Sequence, residues 1–369
     1  MLNVFFILGG LGIEGVSTIA LSYLEAIDKN AVNLSLVIAG PADSGMLSRA
    51  QKIGISIFKL PYRKAEPGSY YIQLYKLLKK EKPEIVHIHG NSATMALDLF
   101  VAALAGVPVR LPHCHNTTCD NENINALLKP LLYFTMSEGL ACGEDAGKWL
   151  YGKRTFKVLK NGRNLKNYEY NEAIRKQYRA QLGLTNSETA IGHVGTFTDQ
   201  KNQIFLIEVL REINDSGFKL FLYGDGPLKS KCEDYAKEVG IEKQVFFMGN
   251  VNDIGAQLNA MDIMTLPSKF EGLPLVTIEW QTNGLPCLIS SLVTRECKIM
   301  DNVRFEDITE EERTTWVQII RGKYLQRDLS VNNTSIYNRM TAAGFNIYEN
   351  AKWLVVEYNR LYRDNGQRR

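Results

Sequence analysis

Short runs of consecutive apolar residues alternate along this chain with longer amphipathic runs, and the alternation predicts its secondary structure. Ten runs have the length and residue types of β-strands, five in each half. They span residues 4–8, 34–40, 84–90, 107–113, 156–162, 191–197, 219–226, 244–250, 262–267 and 286–291. Continuous apolar strands separated by helices are typical of parallel sheets that are covered on both faces. The expected fold class is α/β, with two doubly wound, Rossmann-like domains.

The length of the chain and a polar stretch near its middle predict how these domains divide. A chain of 369 residues exceeds one ordinary core. The two halves meet within polar residues 162–190, which gives expected domains at 1–165 and 166–345. The remaining residues, 346–369, form a helical pattern that we expect to pack back on the first domain. Each domain should bind ligands at the carboxyl ends of its strands.

Composition indicates a globular, cytoplasmic protein. Hydrophobic residues make up 45% and charged residues 22%, and a net charge of +3 is too small to indicate a nucleic-acid partner. The six cysteines show neither a CxxC pair nor a metal-ligand spacing, which favours reduced thiols over disulfides. The N-terminus lacks the features of a signal peptide. The apolar stretch 95–109 is shorter than the ~20 residues of a membrane span, so we expect none.

The most informative segment is EGLPLVTIE, in which Glu271 and Glu279 stand eight positions apart. A predicted buried strand precedes it, and Pro274 is typical of the first position of a helix. Free amides of a first helical turn, together with the helix dipole, can bind an anion such as a diphosphate. Glu271 would then touch what the phosphate carries, and Glu279, about two turns into the helix, would reach a ribose hydroxyl. The alternative is a capped helix with two solvated acids.

A glycine motif follows the first predicted strand. Gly10–Gly15 has the form GxGxxG and precedes a predicted helix at about 16–27, as a dinucleotide fingerprint does. An acidic residue should then close the second strand, which offers only Ala39 and Gly40. We therefore favour a turn that lets a ligand approach the backbone over a nicotinamide site.

Three further glycine turns follow strands of the second half. GTFTDQKN begins at Gly195 and carries Lys201, whose ammonium could neutralise a diphosphate. GDGP spans 224–227, and GNV ends at Val251. Each alone is ordinary turn chemistry. Their expected convergence with EGLPLVTIE at one sheet edge predicts a phosphate site.

Basic residues and histidines are unevenly distributed in the first half. Seven basic residues and no acid lie between 147 and 167, which indicates a solvated face, a phosphate-attracting wall or a surface for anionic lipid. His87, His89, His113 and His115 end two predicted strands, where alternation puts each pair on one face. No Asp, Glu or Cys completes a recognised metal-ligand spacing, and no DxD pair is present, so we expect no metal.

An ordered set of segments resembles the retaining glycosyltransferases of family 4, which have the two-domain GT-B fold. The segments are VGTFTDQKN, LYGDGP, FMGNV, MTLPSKFEG, EGLPLVTIE and TNGLPCLIS, with KPEIVHIHG, HCHNT and CGEDAGKWLYG in the first half. They cover nearly the whole chain and look most like the branch that builds bacterial capsular and extracellular polysaccharides. The resemblance implies two domains facing a central cleft, the first for the acceptor and the second for a nucleotide sugar.

The resemblance also implies roles for individual residues. Glu271 would contact the donor sugar, Lys201 the diphosphate and Glu279 the ribose. His115 matches the family histidine near the sugar, and Val251 with its neighbours would hold the base. The other implied donor-binding residues are Gly12 and Gly15 in the first domain, and Gly195, Thr196, Gly272, Leu273, Pro274, Leu275 and Val276 in the second.

One position departs from the family pattern. Thr196 stands where members usually carry an arginine that is paired with the lysine. Half of the cationic clamp on the diphosphate is therefore missing, unless Arg163 in KNGRN replaces it from another direction. This departure keeps a nucleotide-binding but inactive partner subunit as an alternative.

The expected function is transfer of a hexose from a nucleotide-diphosphate sugar, with UDP favoured, to a saccharide acceptor. The resemblance implies retention of anomeric configuration, no cofactor and no metal. A lipid-linked oligosaccharide is the expected acceptor, with peripheral association at the anionic inner face of the membrane. The alternatives are a nucleotide-sugar epimerase on the same two-domain plan, the inactive subunit and, third, a nicotinamide dehydrogenase.

Overall fold

The chain forms two compact units. The computed structural model describes residues 1–12, 15–322, 327 and 331–366. The first unit contains Met1–Arg163 together with the C-terminal stretch that begins at Gly344, and the second contains Asn164–Ala343. Both changes of unit lie two residues before the expected domain boundaries. The acceptor-binding and donor-binding roles of the two domains stay predictions.

The first unit is built on a parallel sheet of seven strands. They are β1 (Leu2–Leu8), β2 (Val32–Ile38), β3 (Ser56–Lys59), β4 (Ile85–Gly90), β5 (Val109–Cys114), β6 (Gly139–Ala141) and β7 (Phe156–Val158). Their order in the sheet is β3-β2-β1-β4-β5-β6-β7, and every pairing is parallel. The order reverses between β1 and β4, which makes this the topological switch point where doubly wound sheets bind ligands.

Helices cover both faces of this sheet. They are α1 (Gly15–Ala26), α2 (Ser44–Lys52), α3 (Pro67–Glu81), α4 (Met95–Ala105), α5 (Glu122–Thr135), α6 (Glu144–Tyr151) and the last helix of the chain, α14 (Ile347–Gly366). Phe5 of β1 joins a buried cluster with Leu74 of α3. Phe6 faces the other way and lies against the ring of His87. The last helix contacts α1 and β5, and its Tyr358 hydroxyl lies 2.6 Å from Nδ1 of His87.

The second unit has a parallel sheet of six strands. They are β8 (Thr189–Val194), β9 (Phe218–Tyr223), β10 (Val245–Gly249), β11 (Ile263–Leu266), β12 (Cys287–Ser290) and β13 (Val303–Glu306). The order is β10-β9-β8-β11-β12-β13. The helices are α7 (Glu172–Gln181), α8 (Gln203–Ile213), α9 (Lys229–Glu238), α10 (Ile254–Leu258), α11 (Leu275–Thr282), α12 (Arg313–Arg321) and α13 (Asn333–Ala342). Trp316 of α12 and Phe205 of α8 meet edge to face at 5.2 Å within the core.

All ten predicted strands are confirmed, and three strands were missed. β3 and β13 are edge strands of four residues with partly exposed side chains, so they lack a continuous apolar run. β6 has only three residues and contains a glycine. Several predicted strands ran too far, because the glycines and lysines at their carboxyl ends belong to the following turns. Among the described residues, the chain therefore has two doubly wound parallel sheets, as the sequence pattern predicts.

None of the described helices is long and apolar enough to cross a lipid bilayer. The apolar stretch considered above forms the eleven-residue helix α4 and its connection to β5. All six cysteines are free thiols, and five of them are buried. The reduced state of the cysteines stays a prediction.

A buried ion pair in the first unit provides a test of how α4 is held. Asp98 is fully buried and accepts hydrogen bonds from Arg63 and, at 2.5 Å, from the Tyr70 hydroxyl. Asp98→Ala removes the acceptor and leaves a partly buried guanidinium unpaired, so we expect a loss of about 3 kcal/mol in unfolding free energy. Urea denaturation at pH 7 measures this loss.

The control for that experiment is Asp120→Ala. Asp120 is 94% exposed and lies 3.5 Å from Lys64, so its removal should change stability by less than about 0.5 kcal/mol. Equal stability of the two variants would show that the Asp98 pair does not hold the first unit together.

Candidate functional site

Lys201 and Glu271 form an ion pair in the second unit. Nζ of Lys201 lies 2.5 Å from Oε1 of Glu271, and only 17% and 11% of the two side chains are exposed. β8 and β11 are parallel neighbours, so the turns that follow them lie side by side at one sheet edge. The first turn carries Lys201 and the second carries Glu271. The structure thus brings two of the three predicted catalytic residues into contact.

Hydrogen bonds join these two turns along their length. The backbone amide of Lys269 donates to the carbonyl of Gln200 at 2.8 Å, and Nε2 of Gln200 donates to the carbonyl of Phe270 at 2.9 Å. Nζ of Lys269 also pairs with Asp199 at 2.7 Å. The two bonds to backbone carbonyls fix the separation of the turns and thereby the positions of the Lys201 and Glu271 side chains, whereas the exposed Lys269–Asp199 pair adds little.

The GDGP turn packs tightly against the turn that begins at Gly195. Gly224 has φ of +125°, and a Cβ there would lie 2.3 Å from the carbonyl oxygen of Gly195. Gly226 has φ of +155°, and its Cβ would lie 2.6 Å from the backbone of Phe197. Only glycine permits this backbone approach and these dihedral angles. GDGP therefore packs directly against the turn that carries Lys201. This packing is sufficient to explain why positions 224 and 226 are glycines, without any contact to a phosphate.

Helix α11 begins one residue later than expected. Pro274 is its N-cap rather than its first helical residue, and the Pro274 carbonyl accepts bonds from the amide and the hydroxyl of Thr277 at 3.1 and 2.7 Å. The amides of the first turn that can face a ligand are those of Leu275 and Val276, because the amide of Thr277 already donates to Pro274. Glu279 is the fifth residue of this helix, about one turn from its start and not two, and it is buried. The interpretation of Glu279 as a solvated acid is therefore wrong.

The other predicted donor-binding residues of the second unit lie at the same sheet edge. Thr196 is exposed beside Gly195, and its carbonyl accepts a bond from Nε2 of Gln203 at 3.1 Å. Val251 follows β10 and is partly buried. Gly272 and Leu273 precede the start of α11, and Val276 lies in its first turn. Carboxyl ends of parallel neighbours share one edge, so the predicted convergence of these turns follows from the strand order.

His193 is a candidate residue that the sequence pattern did not reveal. It lies within β8, two residues before Gly195, and is fully buried. Its Nδ1 lies 2.9 Å from the carbonyl oxygen of Thr265, whereas its Nε2 is buried without a hydrogen-bond partner. Burial lowers the pKa of His193 to about 4, so the ring is neutral near pH 7. The available signal was a histidine within the apolar run that forms β8.

The glycine motif of the first unit lies after β1. The amide of Gly12 donates to the hydroxyl of Ser17 at 3.2 Å, and that hydroxyl lies 3.3 Å from the Gly10 carbonyl. A Cβ on Gly15 would meet no atom within 4 Å. The two residues between Gly12 and Gly15 lie outside the described residues. Gly12 and Gly15 are therefore at the switch point of the first sheet, as a donor-phosphate role requires.

The end of β2 has no room for the acid of a dinucleotide site. A Cβ on Gly40 would lie 2.3 Å from the carbonyl oxygen of Gly9, and Ala39 is fully buried. No larger side chain fits at Gly40 unless the glycine loop moves. A nicotinamide site would need an acidic side chain here to bind the ribose. The sequence has none at this position, and the structure leaves no room for one.

The four first-unit histidines form one cluster of stacked rings at the carboxyl ends of β4 and β5. Ring centroids are 4.3 Å apart for His87 and His89, and 4.1 Å for His113 and His115. Nδ1 of His89 lies 2.9 Å from Nε2 of His115. Burial lowers the pKa of all four, that of His115 to about 4. The predicted catalytic His115 is thus neutral near pH 7 and fixed by His89.

Three of these residues, His87, His89 and His113, each bring one ring nitrogen within 4.8 Å of the others. Three imidazole nitrogens are a known ligand set for zinc. No Asp, Glu or Cys completes a recognised metal-ligand spacing with them in the sequence, yet the fold gathers ring nitrogens from two strands. The expected absence of a metal therefore stays a prediction.

The basic run between residues 147 and 167 is not one continuous solvated face. Lys157 pairs with Glu357 at 2.6 Å and with Glu138 at 3.7 Å. The guanidinium of Arg154 lies 4.5 Å from the ring centre of Tyr133. These partners neutralise or cover part of the run, so the basic surface is smaller than the sequence indicates.

The sequence of the chain is similar to glycosyltransferases. A model of the family described as "Glycosyl transferases group 1" matches residues 174–302. A Bacillus subtilis protein named as the glycosyltransferase EpsF is 30% identical over 309 residues, covering 80% of each chain. An Escherichia coli UDP-Gal:alpha-D-GlcNAc-diphosphoundecaprenol alpha-1,3-galactosyltransferase is 28% identical, covering 78% of this chain and 79% of that one. The Staphylococcus aureus capsular polysaccharide biosynthesis glycosyltransferase CapH is 25% identical, with 78% and 81% covered.

The fold is similar to that of solved glycosyltransferase structures. The crystal structure of HepE from Anabaena in complex with UDP superposes with a TM-score of 0.77 at 17% identity. The alignment covers 98% of this chain and 100% of HepE. Together with the two parallel sheets, this likeness confirms the predicted GT-B fold class.

The buried histidines predict a loss of stability in mild acid. Each has a folded-state pKa below its unfolded value of about 6.5, so its contribution is present above pH 6.5 and is lost as pH falls below it. Protons then bind the unfolded chain and not the folded one. We expect a loss of about 1 kcal/mol per histidine between pH 6.5 and 5.5, as measured by urea unfolding.

The matched variant for that experiment is His113→Phe, which keeps a ring and removes one titrating group. Its unfolding free energy should depend less steeply on pH than that of the natural chain. The same slope in both proteins would contradict the assignment of the acid sensitivity to the histidine cluster.

Proposed function

The chain belongs to the group 1 glycosyl transferases, and we propose that it transfers a hexose from a nucleotide-diphosphate sugar to a saccharide acceptor with retention of anomeric configuration. The observation that carries the proposal is the Lys201–Glu271 pair beside the start of α11. A cation, a carboxylate and free helical amides at one sheet edge can bind the diphosphate and the hydroxyl groups of a nucleotide sugar.

Departure of the diphosphate is the step that this site would assist. The bond between the anomeric carbon and the diphosphate oxygen breaks, and negative charge grows on the leaving group. The ammonium of Lys201 and the amides of Leu275 and Val276 would stabilise that charge. These groups are oriented before the reaction, so little has to reorganise. Glu271 would accept a hydrogen bond from a sugar hydroxyl and Glu279 from the ribose. We assign neither carboxylate as a covalent nucleophile.

UDP and a lipid-linked acceptor are the substrates we propose. The Escherichia coli relative is named for a UDP-sugar donor and a diphosphoundecaprenol acceptor. HepE, whose fold this chain shares, was solved with UDP. In the first unit, His115 and the glycine loop would contact the donor, and we propose that no metal or cofactor takes part. The pathway is polysaccharide biosynthesis, as for the relative CapH.

Peripheral contact with an anionic membrane is part of this proposal. Helices α3 and α5 each contact α4 in the first unit, and all three carry large exposed apolar side chains. The most exposed are Ile72, Leu104, Leu127 and Phe134. Apolar side chains of this kind favour an interfacial position, and the exposed Lys76, Lys79 and Lys80 of α3 favour anionic lipid. Co-sedimentation with vesicles that contain or lack anionic lipid tests the contact, and no binding to either would refute it.

Nucleotide binding is the first test of the function. We expect UDP to raise the thermal midpoint more than GDP, ADP or NAD does, because a ligand of the folded state alone stabilises it. A shift with NAD alone would overturn the proposal. Conversion of the nucleotide sugar without any acceptor would instead identify an epimerase.

Lys201→Met and Glu271→Gln should each lower transfer by about 100-fold or more, because each removes a group that contacts the donor during the reaction. The control is Lys269→Met in the same pair of turns, whose lysine is 43% exposed and pairs with Asp199. Its turnover should stay within about twofold of the natural chain. Unchanged turnover in both Lys201→Met and Glu271→Gln would disprove the site.

Thr196→Arg should strengthen donor binding. The new guanidinium would stand on an exposed position beside Lys201 and supply a second charge-assisted contact to the diphosphate. We expect the donor KM to fall about three- to tenfold, with the acceptor KM unchanged. Thr196→Gln adds length without charge and should leave the donor KM as it is. Equal effects of the two substitutions would argue against a charge deficit.

A further inference from the structure

His193 lies in β8, just before the turn that carries Lys201. One nitrogen of its ring, Nε2, has no hydrogen-bond partner among the described residues. Its Nδ1 lies 2.9 Å from the carbonyl oxygen of Thr265. A carbonyl oxygen only accepts hydrogen bonds, so Nδ1 carries the proton of the neutral ring and Nε2 carries the lone pair. Nε2 is buried, and the structure records no donor for it. A buried acceptor without a donor is costly, which makes this atom a candidate for a contact that forms during the reaction.

The lone pair and the side chain of Lys201 border the same small space beside Gly195. A Cβ built on Gly195 would be 3.0 Å from Nε2 of His193, and 3.2 and 3.3 Å from Cδ and Cε of Lys201. Gly195 leaves this space open because it has no side chain. Rotation about the last bonds of Lys201 would turn its ammonium from Glu271 toward this space.

Electrostatics agrees with this placement. Burial lowers the pKa of His193 to about 4, and the charge of Lys201 contributes in the same direction. The ring is therefore an uncharged acceptor near pH 7, which attracts an ammonium and does not repel it. An ammonium has three N–H donors, and the hydrogen bond recorded here for Lys201 Nζ uses one of them, to Glu271.

We propose that His193 is a positioning residue whose Nε2 is the second acceptor for the Lys201 ammonium. The inference rests on the proposed function. When Glu271 accepts a bond from the donor sugar, Nε2 takes over one N–H of Lys201 and keeps the charge beside the diphosphate. Such a second acceptor matters in this chain because Thr196 supplies no cation, so Lys201 must be held in place without a neighbouring arginine.

The 15N NMR signal of His193 Nε2 tests the contact without any substrate. It is recorded on protein labelled with 15N at histidine, and the His193 signals are identified by their loss in His193→Phe. A hydrogen bond to the lone pair of an unprotonated ring nitrogen moves its 15N signal upfield. We expect this upfield shift in Glu271→Gln, where the carboxylate no longer holds the ammonium, and we expect it to disappear when Lys201→Met is added to that variant.

His193→Gln is the conservative variant, because its amide oxygen can accept the same bond. It should keep most of the donor affinity that His193→Phe loses, which a role in packing alone would not do. An Nε2 signal that is the same with and without Lys201, in proteins that keep their circular dichroism and cooperative unfolding, would overturn the inference.

Kinetics separates this inference from the proposed function. With Glu271 intact, His193→Phe should raise the donor KM about tenfold and leave the acceptor KM unchanged, and His193→Gln should reverse most of the change. An Nε2 signal that depends on Lys201, in a protein that transfers no sugar, would support the contact and reject the function. Transfer that is insensitive to His193→Phe, with an Nε2 signal that does not depend on Lys201, would reject the contact and keep the function.

Discussion

The parallel pairing of β8 with β11 is the constraint on which the candidate site depends. Ile191 pairs with Ile263 and Gly192 with Met264, so the two strands end at the same edge. A Cβ on Gly192 would lie 2.4 Å from the sulfur of Met264, which shows how closely the strands and their side chains approach. This pairing brings together turns that are 70 residues apart in sequence. Contact between Lys201 and Glu271 follows from the pairing and not from either turn alone.

A partly buried ion pair is not by itself a source of stability, because both charges lose water when they pair. The bonds between the two turns offset this cost by fixing the side chains before any ligand binds. The result is a single, oriented cation at an edge that also presents free helical amides. Preorganised charge of this kind assists a reaction because little has to reorganise as the charge of the leaving group develops. Because Thr196 adds no positive charge beside it, the proposed site depends on Lys201 to stabilise the charge of the leaving diphosphate.

The sequence predicted what depends on local pattern and missed what depends on distant contacts. Continuous apolar runs identified the buried strands, whereas the edge strands β3 and β13 are too short and too exposed to show such a run. The start of α11 was placed one residue early because the Pro274 carbonyl, bonded by Thr277, makes Pro274 a cap. Side-chain chemistry was harder still. The carbonyl of Thr265 decides which ring nitrogen of His193 carries the proton. Thr265 is 72 residues away, so no local spacing in the sequence could reveal this contact.

The two units have similar topology, but the side chains at the carboxyl edges of their sheets differ: neutral in the first unit and charged in the second. In the first unit, the residues gathered after β4 and β5 are neutral histidines whose pKa values burial holds down. In the second, the turns after β8 and β11 hold a cation and a carboxylate. A sugar hydroxyl is uncharged and suits neutral imidazoles, whereas a diphosphate needs positive charge. This difference supports the proposed contact of the second unit with the diphosphate. One sheet design can serve different ligands, since the strands fix the edge and the turns supply its chemistry.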